Sequence, residues 1–123
     1  MKRIFALCIG IVALAGCYND KADQLYPSNT NNCDTATVSF AADIAPVLQQ
    51  KCATSGCHDA TTIQSGYNFA NYSGAKLAVD NKRLLGAIRW ESGFSQMPKG
   101  MPKLDDCSIN KITRWVNQGA QQN

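Results

Sequence analysis

Apolar residues change their spacing along the chain, and the change divides it into three parts. An unbroken apolar run from Ile4 to Leu14 follows Lys2 and Arg3. A run of eleven is too short to span a bilayer as a helix, but it suits the h-region of a signal peptide. Residues 18–32 are polar, turn-rich and aperiodic, and read as a tether. Such a flexible segment has an r.m.s. span of roughly 20 Å. From residue 33 onward the apolar spacing is helical. A first helix is expected over about 43–52, with Asp43 as its cap and Ile44, Val47 and Leu48 on one face. Pro46 then falls in the first turn, where its missing N–H costs little, whereas a start at Ser39 would leave it to kink the helix. A short helix over 73–79 has Ser73 as cap and Leu77 inward, and another over 81–90 shows Leu84, Leu85 and Ile88 on its apolar side. The stretch 91–104 is loop. The last helix opens at Ser108, carries Ile109, Ile112, Trp115 and Val116 on one stripe, and ends at Gly119 in the C′ position. With no internal repeat and few strand signals, residues 33–123 predict an all-α domain of about four helices. They follow a signal segment at 1–16 and a tether at 17–32. A core drawn from so few residues is thin and needs a cofactor or cross-links.

The apolar run ends in Leu14-Ala15-Gly16-Cys17, which resembles the lipobox of bacterial lipoproteins. The resemblance implies cleavage before Cys17, a diacylglycerol on its thiol and anchoring to a membrane, since several acyl chains hold where one holds only marginally. An ordinary secretory signal with a chance cysteine is the alternative. Tyr18 stands where an Asp would signal inner-membrane retention in some Gram-negative systems. An outer-membrane anchor is therefore expected, with the domain in the periplasm or at the cell surface.

Losing Lys2 and Arg3 with the signal lowers the net charge from +3 to +1, ten basic against nine acidic side chains. Nucleic acid is thereby disfavoured as a partner, because it calls for a strongly basic face. Of six cysteines, Cys8 leaves with the signal and Cys17 is assigned to lipid. Cys33, Cys52, Cys57 and Cys107 remain.

Cys52-Ala-Thr-Ser-Gly-Cys57-His58 contains the only histidine of the chain. Covalent haem attachment needs two thiols for the porphyrin vinyl groups and an imidazole beside the second thiol, positioned to reach the iron. The usual spacing puts two residues between the cysteines; here there are four, with Gly56 allowing a tight return. The alternatives are a Cys52–Cys57 disulfide beside a bystander histidine, or a zinc site, for which the adjacent Cys57 and His58 are awkward ligands.

From Cys33 onward the chain resembles the class I cytochrome c superfamily, and is most similar to small bacterial domains with four residues between the haem cysteines. The resemblance is carried by Phe40-Ala-Ala-Asp43-Ile44-Ala-Pro46, Cys52 to His58, the Tyr72-Ser-Gly74 turn, the Met97-Pro98 loop and the closing Trp115 to Ala120 helix. It implies one covalent haem c, bound through Cys52 and Cys57, with His58 as proximal iron ligand and Met97 as distal ligand, Met101 being the alternative. It also implies that the first and last helices cross, so that Cys33 and Cys107 can bond. The disulfide would close a loop of about 75 residues and contribute roughly 4 kcal/mol; two free thiols are the alternative. Trp115 then packs in the crossing or along the haem edge.

Such a protein is expected to carry single electrons between redox partner proteins, without catalytic turnover of its own. His58 would be committed to iron, and the carboxylates are scattered. Lys51, Lys99 and Lys103, close in sequence to the ligands, either steer an acidic partner or form a solvated face. Two other classes stay open. One is a haem protein whose methionines leave the distal site free to bind or reduce a small ligand. The other is a haem-free, disulfide-bonded surface lipoprotein. No function attaches to Trp90.

Overall fold

The computed structural model describes residues 33–123. The signal segment, Cys17 and the tether lie outside the described residues. Among these residues there is no strand, and no helix is long and apolar enough to cross a membrane. A π-helical turn, Phe40–Ile44, runs into helix α1, Ala45–Lys51. Helix α2 spans Tyr72–Asp80, α3 Leu84–Arg89 and α4 Asp106–Asn117, with a 3-10 turn at Gln64–Gly66. The domain is all-α.

The first helical segment starts earlier than the Asp43 cap expected from sequence. Ser39 is the N-cap: the Ala42 N–H donates to Ser39 Oγ at 3.0 Å, and the Ser39 N–H donates to Asp43 Oδ2 at 3.0 Å. The two groups cap each other as in a capping box. Pro46 is tolerated because the segment opens as a π turn, with the Ala45 N–H bonded to Phe40 O. The extra residue of that wider turn takes up the kink just before the residue that has no N–H to give. The remaining orphan donors are met by Asn123, whose Oδ1 accepts from the Phe40 N–H at 2.8 Å and whose backbone oxygen accepts from the Ala41 N–H at 2.9 Å.

Helix α4 also starts earlier than expected. Asp105, not Ser108, is the cap: its carboxylate accepts from the Ser108 N–H at 2.9 Å and from the Ser108 hydroxyl at 2.7 Å. An aspartate three residues ahead of a serine can take both donors, so the serine becomes the capped residue. The apolar stripe is as expected, with Ile109, Ile112 and Trp115 buried and Gly119 at φ +93° closing the helix.

Helix α2 corrects two expectations. Asn71 caps it by accepting from the Gly74 N–H at 2.9 Å, and Leu77 faces outward at 45% exposure. Gly74, Ala75 and Ala78 form the inner face. The approach is so close that a Cβ on Gly74 would lie 1.8 Å from the Asn68 carbonyl oxygen. Leu77 is one step of about 100° from Ala78, and so lies off that narrow stripe. The Tyr72-Ser-Gly74 turn is the first turn of α2.

The core joins the first and last helices. Phe40 packs against Trp115 at 5.4 Å between ring centroids and edge-on against Tyr72 at 5.1 Å. The Tyr72 hydroxyl donates to Ala120 O at 2.9 Å. Ile44, Leu48, Ile88, Ile112 and Trp115 are fully buried. Lys111 Nζ on α4 donates to Asp43 Oδ1 at 2.8 Å. Cys33 and Cys107 are bonded to each other, with Cα atoms 5.4 Å apart, which ties the start of the domain to the first turn of α4.

Candidate functional site

A cavity of about 720 Å³ opens between the segment after α1, helix α3 and the loop that follows it. That volume suits a cofactor-sized ligand. Cys52, Cys57, His58, Met97 and Met101 all line it. The fold thus brings together every residue singled out for haem binding, from segments some forty positions apart in sequence. Leu84 and Ile88 supply the apolar wall from α3.

The cysteine-to-histidine segment is a built turn. Cys52 ends α1 and is buried, while Cys57 is exposed. Between them the His58 N–H donates to Cys52 O at 3.2 Å and the Cys57 N–H to Thr54 O at 3.0 Å. Gly56 sits at φ +81°, a left-handed conformation that a glycine adopts without a steric penalty. Asp59 locks the far side by accepting from the Thr62, Thr61 and Gly56 N–H groups. These bonds, that from Thr62 foremost, hold its carboxyl down at about 2. The four-residue spacing is therefore a closed, hydrogen-bonded loop rather than slack chain.

Both thiols are free. Burial, and secondarily Cys57, pushes the Cys52 thiol up to about 11. Cys52 is accordingly a neutral thiol at ordinary pH. No cluster of three or more His, Cys, Asp or Glu side chains able to hold a metal ion is found among the described residues.

His58 is the one buried polar side chain among the described residues, at 8% exposure. Its Nδ1 lies 3.2 Å from Tyr67 O. A carbonyl only accepts, so in the neutral ring this contact places the proton on Nδ1 and leaves the Nε2 lone pair free. No buried side-chain nitrogen or oxygen lacks a partner among the described residues, so Nε2, which has no partner among them, keeps accessible surface, and His58 lines the cavity. The ring is held further by Phe69, whose centroid is 4.8 Å away and whose N–H donates to His58 O at 2.8 Å. A histidine oriented through one nitrogen by a backbone carbonyl is how proteins present the other to a metal.

On the opposite segment the two methionines differ. Met97 is half-buried, and its backbone is bonded at both ends: its N–H donates to Ala87 O at 3.1 Å, and its carbonyl accepts from the Trp90 indole at 2.9 Å. Met101 is 47% exposed, with its N–H 3.4 Å from Pro98 O. Phe94 lies over Gly86 of α3, where an added Cβ would come within 2.6 Å of the ring, and Arg83 stacks on it at 5.8 Å.

Lys51, Arg83 and Lys99 line the cavity, and no carboxylate of the described residues does. None of the three has an ion-pair partner among the described residues. Lys103 is not among the lining residues. Arg83, Phe94 and the Tyr67 carbonyl join the site without having stood out in the sequence, and Trp90, to which the sequence attaches no function, bonds the Met97 carbonyl. A glycine inside α3 and an aromatic eight residues on were the available signal for the Gly86–Phe94 contact; the carbonyl had none.

No protein family, curated protein or solved structure matches the chain.

Proposed function

We propose that residues 33–123 form a monohaem c-type cytochrome domain that carries single electrons between redox partner proteins. The chain would be exported and anchored to a membrane, preferably the outer one, by lipid on Cys17. The observation that carries this reading is the convergence of Cys52, Cys57, His58 and Met97 on one apolar-walled cavity. Cys52 and Cys57 would hold the porphyrin as thioethers. His58 Nε2 and the Met97 sulfur would ligate iron, with Met101 as the alternative. When bound, the haem supplies a one-electron couple whose potential Met/His ligation raises.

The chain's own contribution is to hold and to exclude. Tyr67 O fixes the His58 ring, and Leu84 and Ile88 would set apolar surface against the porphyrin. The cations Lys51, Arg83 and Lys99 suit a ligand that is flat and apolar but carries carboxylates. The same charges, where they reach the surface, attract an acidic partner. His58, the sole histidine, is committed to iron in this reading and leaves no general base, so we assign the domain no turnover.

The test is the visible spectrum of purified protein in alkaline pyridine, before and after dithionite, following acid-acetone extraction. A reduced α-band of c-type position that survives extraction is expected. Its absence, from cells that mature other c-type cytochromes, overturns the reading.

A further inference from the structure

Resting on the haem-carrier reading above, we propose that Trp90 is a positioning residue that makes Met97, rather than Met101, the distal ligand. Trp90 ends α3 at φ +63°, a left-handed conformation unusual for a bulky residue. Backbone bonds hold it there: the Trp90 N–H reaches Ala87 O at 3.3 Å, and the Glu91 N–H reaches Gly86 O at 2.9 Å. The indole then donates from Nε1 to the Met97 carbonyl at 2.9 Å, while the Met97 N–H returns to Ala87 O at 3.1 Å.

Both peptide groups flanking the Met97 side chain are thus fixed to the end of α3, which also forms a cavity wall. Phe94, seated over Gly86 between the two residues, pins the middle of the same loop. Met101, beyond Gly100 at φ +71°, has only a long bond from its N–H to Pro98 O. A thioether on a pre-positioned backbone loses less freedom on binding iron than one on a free loop, so its bound fraction is higher. A mere helix-capping role for Trp90 would need no indole N–H.

The experiment uses the full chain with its haem, oxidised, and measures by Soret shift the affinity for added imidazole, which enters only when the distal ligand leaves. Trp90→Phe keeps a ring but removes the donor. It should tighten imidazole binding roughly tenfold, the worth of about one hydrogen bond in the Met-on equilibrium. In a Met97→Ala background the same substitution should change the affinity by less than about twofold, because the coupled pair has been removed. No change on Trp90→Phe alone, or the same gain without Met97, overturns the proposal.

Hydrogen exchange of the Trp90 indole in the unmutated protein checks it without a variant. That N–H should exchange slowly and speed up under saturating imidazole; fast exchange in both states also overturns it. Absence of covalent haem from the unmutated protein overturns the carrier reading and this role with it. Haem present with an unresponsive Trp90→Phe overturns this role alone.

Discussion

His58 Nδ1 and the carbonyl oxygen of Tyr67 lie 3.2 Å apart, and this pairing decides which ring nitrogen can serve the cavity. Substituting His58 by Ala should abolish incorporation of an iron porphyrin. On a denaturing gel with a haem-specific stain, the protein band of His58→Ala should be unstained or strongly weakened, while the disulfide and the helical content by circular dichroism persist. Full staining with unchanged spectra would contradict the ligand role.

Asp43 joins two elements, accepting from Lys111 of α4 and from the Ser39 N–H of its own turn. The Lys111 bond, followed by the Ser39 bond, holds its carboxyl below the usual value of 3.8. A carboxyl depressed on folding stabilises the fold above its unfolded pKa and loses that contribution as pH falls through the folded one. Asp43→Asn should therefore cost about 1 kcal/mol at neutral pH. In urea melts, the gap to the unmutated protein should close as the pH falls below 3.8.

Gly74 leaves no room for a methyl group. Gly74→Ala puts Cβ against the Asn68 carbonyl, and backbone cannot swing aside as a side-chain tip can. The expected loss is about 3 kcal/mol or more, read as a fall in Tm of roughly 10 °C or more. Gly119→Ala meets no atom within 4 Å and is strained only by its φ of +93°; it should cost about 1 kcal/mol.

The Cys33–Cys107 bond spans 74 positions. Replacing both cysteines by serine should lower stability by roughly 4 kcal/mol in the chain-entropy account, measured by urea unfolding of oxidised and reduced protein. Equal stability in both forms would contradict the chain-entropy account of this bond.

Lys99 lines the cavity with Lys51 and Arg83. In the haem-loaded protein, Lys99→Glu should slow electron exchange with an acidic redox protein several-fold at low ionic strength. Stopped-flow rates should converge at about 1 M salt, where charges a few ångströms apart are screened.

What could be read from the sequence follows from where the information sits. Cys52, Cys57 and His58 are neighbours along the chain, so their grouping needs no fold to appear. The stripe of Ile109, Ile112 and Trp115 is a local period and survives for the same reason. The start of α4 is ambiguous in sequence because Asp105 and Ser108 are both good caps, and the start of the first helical segment because Pro46 argues against Ser39 unless a π turn precedes it. A leucine reads as an inward residue, but the close approach of α2 at Gly74 leaves room only for Ala75 and Ala78, and Leu77 faces out. The Tyr67 and Met97 carbonyls lay beyond reach altogether. A backbone oxygen has no residue type, so neither the partner of His58 nor the clamp of Trp90 leaves a mark in the sequence.

Cys52 is buried against the cavity and Cys57 is exposed, so the two sulfurs meet the outside world by different doors. A bulky maleimide reaches Cys57 from solvent, whereas Cys52 yields only to a reagent small enough to pass through the cavity. Its burial keeps it protonated and slow even then. If the haem-carrier reading holds, counting alkylated thiols with a small and a large reagent would report whether neither, one or both sulfurs are bonded. The two cysteines would then serve as a gauge of occupancy, legible by mass spectrometry with no chromophore required.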